Sequence, residues 1–266
     1  MHPTTVTATA ALATSRIVDL SVPIGPQWPA VWPGNPELRA ERLHWFDTAP
    51  ASFNRLLTVD EHVGTHWDAP AHFIPPPDSG HPAAHPTGRY SDEIPLERFV
   101  VPAAVIDATD LCDAGAPGWS PKLSRARIEA WEDRNGILRP GEGVLLHTGW
   151  SDAYYRPFPE GRAYAHAVME DGAPAWPAID GDAMALLVER GVVLFGADTP
   201  SAGPVDDMAA PHAVALGAGM VLVEDLIGLG ALPARGALFA FLPVKLLDGS
   251  GGPGRAVAFL PSEESA

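Results

Sequence analysis

Glu61–Phe73 reads EHVGTHWDAPAHF. From His62 to His72, eleven residues, it carries three of the chain's ten histidines, His62, His66 and His72, together with Asp68. Imidazole and carboxylate are the donors that suit Zn²⁺, Mn²⁺ or Fe²⁺. His62 and His66 stand at i and i+4, a spacing that shares a helix face. Gly64 between them, Pro70 after them and the strand-like Arg55–Asp60 before them argue against a helix. A glycine-hinged turn at a strand end is expected to curl His62, His66 and Asp68 together, and Pro70 to fix the direction of His72. A polar loop of hydrogen-bonded histidines is the plainer alternative. Ligand types clustered this densely have few other physical reasons and point to a metal site.

Three neighbouring ligands leave a shell of about four to six incomplete. Further along, Ala210–Asp225 (APHAVALGAGMVLVED) offers His212 before a short helix and Glu224 at the end of an apolar strand. A carboxylate after Met-Val-Leu-Val is costly to bury unless paired or metal-bound. By spacing alone, Glu224 reads equally well as a strand-end acid in water, and His212 as a helix-start residue after Pro211.

Composition narrows the classes. The chain has 266 residues, 46% of them apolar and 19% charged, the balance of a core-forming globular protein. Its formal net charge of −16 repels nucleic acid and anionic lipid, and steering favours neutral or cationic ligands. A single cysteine, Cys112, excludes an intramolecular disulfide and a cysteine-rich zinc module. With no other redox clue, the cytoplasm is the expected compartment. No apolar run reaches the roughly 18 residues of a membrane helix. Met1–Arg16 is expected to be a flexible leader rather than an export signal, and residues 17–266 one domain.

Strands are expected at Arg16–Pro23, Arg55–Asp60, Phe99–Asp107, Gly143–Thr148, Val192–Gly196, Met220–Glu224, Ala237–Leu242 and Ala256–Leu260. The early proline in Phe99–Asp107 suggests an edge strand or a bulge. Ser124–Arg134 reads as an amphipathic helix with Ser124 as N-cap and Asn135-Gly136 as its stop. Asp180–Arg190 reads as a second helix, with a short third near His212–Leu216. The irregular alternation suggests an α/β domain with a mixed sheet rather than a Rossmann or TIM pattern. No phosphate-cradling glycine motif occurs. Phe73–Pro95 and Ser151–Ile179 read as long loops, lids or oligomer contacts.

HVGTHWDAPAH resembles the H-x-G-T-H-x-D-x-P-x-H signature of the metal-dependent cyclase-type hydrolase family, which includes bacterial kynurenine formamidase and isatin hydrolase. AVWPG at Ala30–Gly34, the His212–Glu224 pair and the closing ALPARGALFAFLPVKLLDGSGGPGRAVAFLP extend the resemblance from about Ile17 to Pro261. It implies a swivelling β/β/α fold, a homodimer or homotetramer, and zinc or manganese as one or two ions. It also implies His62, His66, Asp68, His212 and Glu224 as metal ligands, Asp68 bridging if two ions bind, and His72 as the catalytic acid–base. The Ile74–Pro86 loop, the Tyr154–Trp176 segment and Thr65 depart from the compact formamidases and bear on the substrate rather than the chemistry.

A metal site of this kind activates water and polarises a carbonyl, and a histidine protonates the leaving nitrogen. The expected reaction is hydrolysis of the C–N bond in a small amide, formamide, imide or lactam. A biosynthetic cyclase or lyase, and a catalytically silent metal- or ligand-binding relative, are the alternatives. His72 could also act as a further ligand or orient one. Trp28, Trp32, Phe53, Trp67 and Phe73 flank the motif in sequence and favour a flat aryl substrate, although each also reads as core. His81 and His85 read as a solvated loop, His147 as core or pocket lining, Ser201 as a turn residue, Asp198 and Asp206 as loop acids without a role, and Cys112 as structural.

Overall fold

Val100–Asp107 (VVPAAVID, strand β5) alternates its side chains between two buried environments. Val101, Ala103 and Val105 enter one apolar cluster, and Ala104 and Ile106 the other. A strand covered on both faces needs an almost continuous apolar run, and β5 has one. The same division holds in β7 (Gly143–His147), where Leu145 points one way and Val144 and Leu146 the other. It recurs in β9 (Leu194–Ala197) and β10 (Val221–Glu224). These four strands run parallel in the order β5-β7-β9-β10. Helices α1 (Arg125–Asn135), α4 (Gly181–Glu189) and α5 (Ala209–Gly217) make the three crossovers.

The remaining strands close the sheet. β4 (His66–Asp68) runs antiparallel to β10, and β12 (Gly251–Leu260) antiparallel to β4. β11 (Arg235–Pro243) pairs antiparallel with β12 on one side and with β5 on the other. Seven strands thus form a ring of mixed direction. Val257–Leu260 of β12 also pairs with β1 (Arg16–Asp19). The closing seam sets Gly251 opposite Asp68, where a Cβ would stand 2.3 Å from the Trp67 carbonyl oxygen, so only glycine lets the strands approach. Trp67, Phe239, Phe241 and Phe99 fill the ring. The helices cover its parallel half. A fully buried side chain of this size contributes about 1.5–3 kcal/mol.

The structure, a computed structural model, describes residues 15–47 and 49–261. The leader expected at Met1–Arg16 lies outside these residues except for its last two. Most elements fall within a few residues of expectation, and the mixed α/β sheet is as expected. Pro102 is not on an edge strand, because β5 lies between β11 and β7, but the alternative expectation of an irregularity is met: the register with β11 shifts between Arg235 and Ala237, opposite Ala104 and Ala103. The proline is tolerated because pairing with β7 starts only at Ala103. The first strand ends at Asp19 rather than Pro23, leaving Ser21 in an isolated bridge to Leu226. The short third helix is longer than expected. A strand that was not expected, β2 (Arg39–His44), pairs only with β3 (Asn54–Thr58). β6 (Lys122–Leu123) and β8 (Ala178–Ile179) form a second small pair.

Residues 151–179 are not a plain loop. They hold most of α2 (Trp150–Tyr154), all of α3 (His166–Asp171) and β8. Trp150, Tyr155, Tyr164 and Trp176 build a third apolar cluster with Val22, Ala30 and Val63. The N-terminal segment is held there by the Tyr155 hydroxyl, which donates to the Pro23 carbonyl at 2.9 Å.

Candidate active site

Strand periodicity assembles the polar cluster. In β4, Trp67 points into the ring, so His66 and Asp68 share the outer face. In β10, Val221 and Val223 point inward, so Leu222 and Glu224 face outward. The register sets Glu224 opposite His66 and Leu222 opposite Asp68. α5 brings His212 over the same face. The glycine hinge is present: Gly64 has φ +56° and ends the turn carrying His62. Pro70 starts a 3-10 turn, Pro70–His72, that ends on His72.

The distances are those of a shared site. His66 Nε2 lies 3.6 Å from Asp68 Oδ1 and 3.6 Å from Glu224 Oε2. His212 Nε2 lies 3.1 Å from Glu224 Oε1 and 3.6 Å from Asp68 Oδ2. Ligand atoms held about 2.1 Å from one cation stand roughly 3.0–3.4 Å apart, close to these separations. His66 donates its Nδ1–H to the Gly64 carbonyl at 2.7 Å, and His212 its own to the Met208 carbonyl at 2.7 Å. Both rings are thereby left with Nε2 facing the carboxylates. Asp68 Oδ2 is buried with no hydrogen-bond partner. An orphaned carboxylate oxygen among three histidines and a glutamate is a donor set that fits a divalent cation.

His62 donates from Nδ1 to Asp68 Oδ1 at 2.9 Å, and its Nε2 meets Ser250 Oγ at 2.9 Å. Ser250 in turn donates to Glu61. For His62 to ligate, a cation replaces the proton it shares with Asp68. His72 is solvent-accessible at the mouth, its ring 4.1 Å from that of His62. His62, Asp68 and His72 offer one close set of ligand atoms, and His66, Asp68 and Glu224 another.

The electrostatics follow the burial and the charges. Burial raises the Asp68 carboxyl, but the His62 hydrogen bond and the surrounding histidines outweigh it and hold the pKa below the usual carboxylate range. Burial lowers His212, but the Glu224 hydrogen bond and the Glu224 and Asp68 charges prevail and raise it to about 9. His62 is raised on balance, its burial outweighed by Asp68. His66 and His72 are lowered, chiefly by burial.

The cleft has a volume of about 250 Å³. His62, His66, His72, His212 and Glu224 line it, and Asp68 lies beneath. Among the five flanking aromatics, only Trp32 and Phe73 reach it. Phe73 stacks on His212 with ring centroids 4.5 Å apart. Trp28 stacks on Tyr155, Trp67 fills the ring, and Phe53 stands exposed on β2–β3. Asn35, Tyr164 and Asp225 line the cleft without having been singled out in the sequence. The Tyr164 hydroxyl donates to Asp225 Oδ1 at 2.5 Å, and burial pushes both groups well above their usual pKa. Ser201 lines the cleft, and the neighbouring Ala202 N–H donates to Glu224 at 2.7 Å.

The other candidates lie apart. His81 and His85 make only local contacts in an exposed loop. Asp206 pairs with Lys122. His147, Asp152 and Asp198 approach one another, but Asp198 is occupied by Thr148 and the Gly149 N–H. Burial raises the Cys112 thiol to about 11, so it is not a thiolate at neutral pH.

Comparison with known proteins identifies the chain's relatives. The cyclase family profile, described as "Putative cyclase", matches residues 18–204. The chain belongs to the cyclase family. This cyclase-family chain is 26% identical to an isatin hydrolase of Roseibium aggregatum, over 92% of each protein. It is 30% identical to a kynurenine formamidase of Salinibacter ruber, over 91% of this chain and 96% of the relative. The crystal structure of an isatin hydrolase bound to the product analogue thioisatinate superposes with a TM-score of 0.79 at 25% identity, covering 96% of this chain and 99% of that one. Isatin hydrolase A of Ralstonia solanacearum superposes with a TM-score of 0.79 at 31% identity, covering 98% of this chain and all of that one.

Proposed function

We propose that this chain is a metal-dependent hydrolase that cleaves the C–N bond of a small, flat amide, formamide, imide or lactam. The observation that carries this is the buried Asp68 Oδ2, which has no hydrogen-bond partner and is set among His66, His212 and Glu224 at ligand spacing. His62, His66, Asp68, His212 and Glu224 would hold the cation, zinc or manganese. Each carboxylate turns one oxygen toward His66 and the other toward His212, a donor set that would hold one ion or two. When bound, the cation supplies Lewis acidity to a carbonyl and to water.

The remaining work belongs to the chain's own side chains. His72 stands at the cleft mouth, where desolvation by the cleft lowers its pKa from the usual imidazole value and favours the neutral, proton-accepting form. It takes a proton from the attacking water and passes it to the leaving nitrogen. The new C–O bond replaces the broken C–N bond, and the products are an acid and an amine, or an acid and an amide where the substrate is an imide. Trp32 and Phe73 offer faces for an aryl ring. The negative surface suits a neutral substrate such as isatin better than an anionic one. A cytoplasmic homodimer or homotetramer is the form we propose. Among the described residues, no helix is long and apolar enough to cross a membrane.

Isatin ring opening and N-formylkynurenine deformylation test the reading, assayed before chelation, after it, and after reloading with zinc or manganese. Turnover of either substrate, lost on chelation and restored by metal, is expected. Equal turnover by a fully stripped protein would refute it.

A further inference from the structure

His62 is held at both ring nitrogens, and only one of those contacts belongs to the candidate cation site. Nδ1 faces Asp68 Oδ1 at 2.9 Å, and Nε2 faces Ser250 Oγ at 2.9 Å. Ser250 is fixed from its other side. Its hydroxyl donates to Glu61 Oε2 at 2.8 Å, and its backbone N–H donates to the same oxygen at 2.8 Å. The available protons give this row of groups a direction. A carboxylate only accepts, and a serine hydroxyl has one proton. That proton lies in the bond to Glu61, so Ser250 Oγ meets His62 as an acceptor. The ring must then donate from Nε2. Through Ser250, Glu61 dictates which nitrogen of His62 keeps its proton.

His62 and Ser250 are 188 residues apart, and the seam that closes the barrel brings them together. Ser250 immediately precedes β12. Its carbonyl accepts from the Ala69 N–H at 2.9 Å, one residue past β4, and the Gly249 carbonyl accepts from the Ser91 N–H at 2.9 Å. Gly251 leaves space for the ring: a Cβ there would stand 2.9 Å from His62 Cε1 and 3.4 Å from Nε2. Backbone bonds before the strand and a missing side chain at its start therefore fix the hydroxyl against the imidazole. The His62 backbone is anchored too, its N–H donating to Asp60 Oδ1 at 2.8 Å. Neither Glu61 nor Ser250 lines the cleft, so both act through the ring rather than on a substrate. His66 and His212 are oriented by the backbone carbonyls of Gly64 and Met208. Of the three histidines proposed as ligands, His62 is the one whose outer nitrogen depends on side chains.

We propose that Glu61 and Ser250 are positioning residues for the cation: they hold a proton on His62 Nε2 and so keep Nδ1 as the nitrogen that ligates. This rests on the cation site proposed above and deepens it. When a cation enters, the Nδ1 proton leaves to solvent and the Nε2 proton stays with its own partner. Without the Ser250 hydroxyl, a neutral ring keeps its one proton on Nδ1, where Asp68 accepts it, and presents a proton instead of a lone pair to the cation. Outer partners of this kind are worth about 10- to 100-fold in metal affinity.

Zinc affinity of the full chain, read by competition with a chromophoric chelator, is the experiment, and no turnover enters it. Ser250→Ala should bind zinc about 10- to 100-fold more weakly than the wild type, with an unchanged circular dichroism spectrum. Glu61→Ala should weaken binding in the same way, and the double variant no further, because the two residues act on the ring as one unit. Glu61→Gln keeps an oxygen that accepts from Ser250 and should restore most of the affinity. Nitrogen-15 NMR of the histidine rings in zinc-loaded wild type reads the proton directly and depends on no variant's folding: the His62 ring proton is expected on Nε2. A His62 proton on Nδ1 in the loaded protein, or wild-type zinc affinity in a folded Ser250→Ala variant, would overturn the proposal and leave the cation site standing. A wild type that binds no zinc would overturn both.

Discussion

Asp68 shows what a single residue does here. One of its oxygens accepts the His62 hydrogen bond and the other has no hydrogen-bond partner, a group suited to a cation. Asp68→Asn should abolish metal binding, read as ions per chain by elemental analysis, because a neutral amide cannot supply the charge with which Asp68 would hold the cation. His72→Ala should retain the metal and lose about 10²-fold in kcat. If its metal content fell along with its rate, His72 would be a ligand instead of the proton carrier. The proposed ligands His62, His66 and Asp68 were legible as candidates because ligand-forming residue types crowd a glycine-hinged turn, whereas His212 and Glu224 were assigned only through the family resemblance. Tyr164 and Asp225 were not legible: one lies in a segment read as a loop and the other follows a ligand, and only the fold brings them within 2.5 Å.

Short elements hold these residues. Gly64 carries φ +56°, and a Cβ there would stand 2.3 Å from Ile24 Cγ2. Gly64→Ala should therefore destabilise the protein by about 1–3 kcal/mol in urea unfolding, through both the backbone and the clash. Asp180 caps α4 by accepting from Ala183 N–H at 2.7 Å, and Asp180→Ala should cost about 1 kcal/mol without changing metal content. The helices were read closely from their caps and stop signals. Ser124 does precede α1, although its side chain makes no capping hydrogen bond. β2 escaped notice because RAERLH is polar on both faces and pairs only within its own hairpin. Residues 151–179 escaped because their elements are one or two turns long, with packing rather than periodicity fixing them.

At the scale of the molecule, ring closure is the feature sequence patterning could not carry. It depends on Gly251–Pro253 meeting His66–Asp68 across about two thirds of the chain's length, whereas periodicity reports only neighbours. That closure packs buried charges together, so pH should act on the metal-free protein. His212 rises from 6.5 to about 9 on folding, so its stabilisation is complete below 6.5 and is lost as pH climbs through 9. His62, also raised, acts in the same sense. Metal-free protein should lose up to about 3 kcal/mol between pH 6.5 and 9. Loaded protein should not, because ligation requires neutral imidazole and tightens as protons leave. Thermal melts of both forms across that range check this. Parallel curves would mean that the cation does not sit at His212.

The most direct test is to count the bound zinc and manganese per chain on protein purified without chelator and to measure C–N hydrolysis on the same sample. One or two ions per chain, with turnover that follows the ion through removal and reloading, is the predicted result. A folded chain that takes up no ion on reloading, or hydrolyses its substrate equally well without one, would contradict the account.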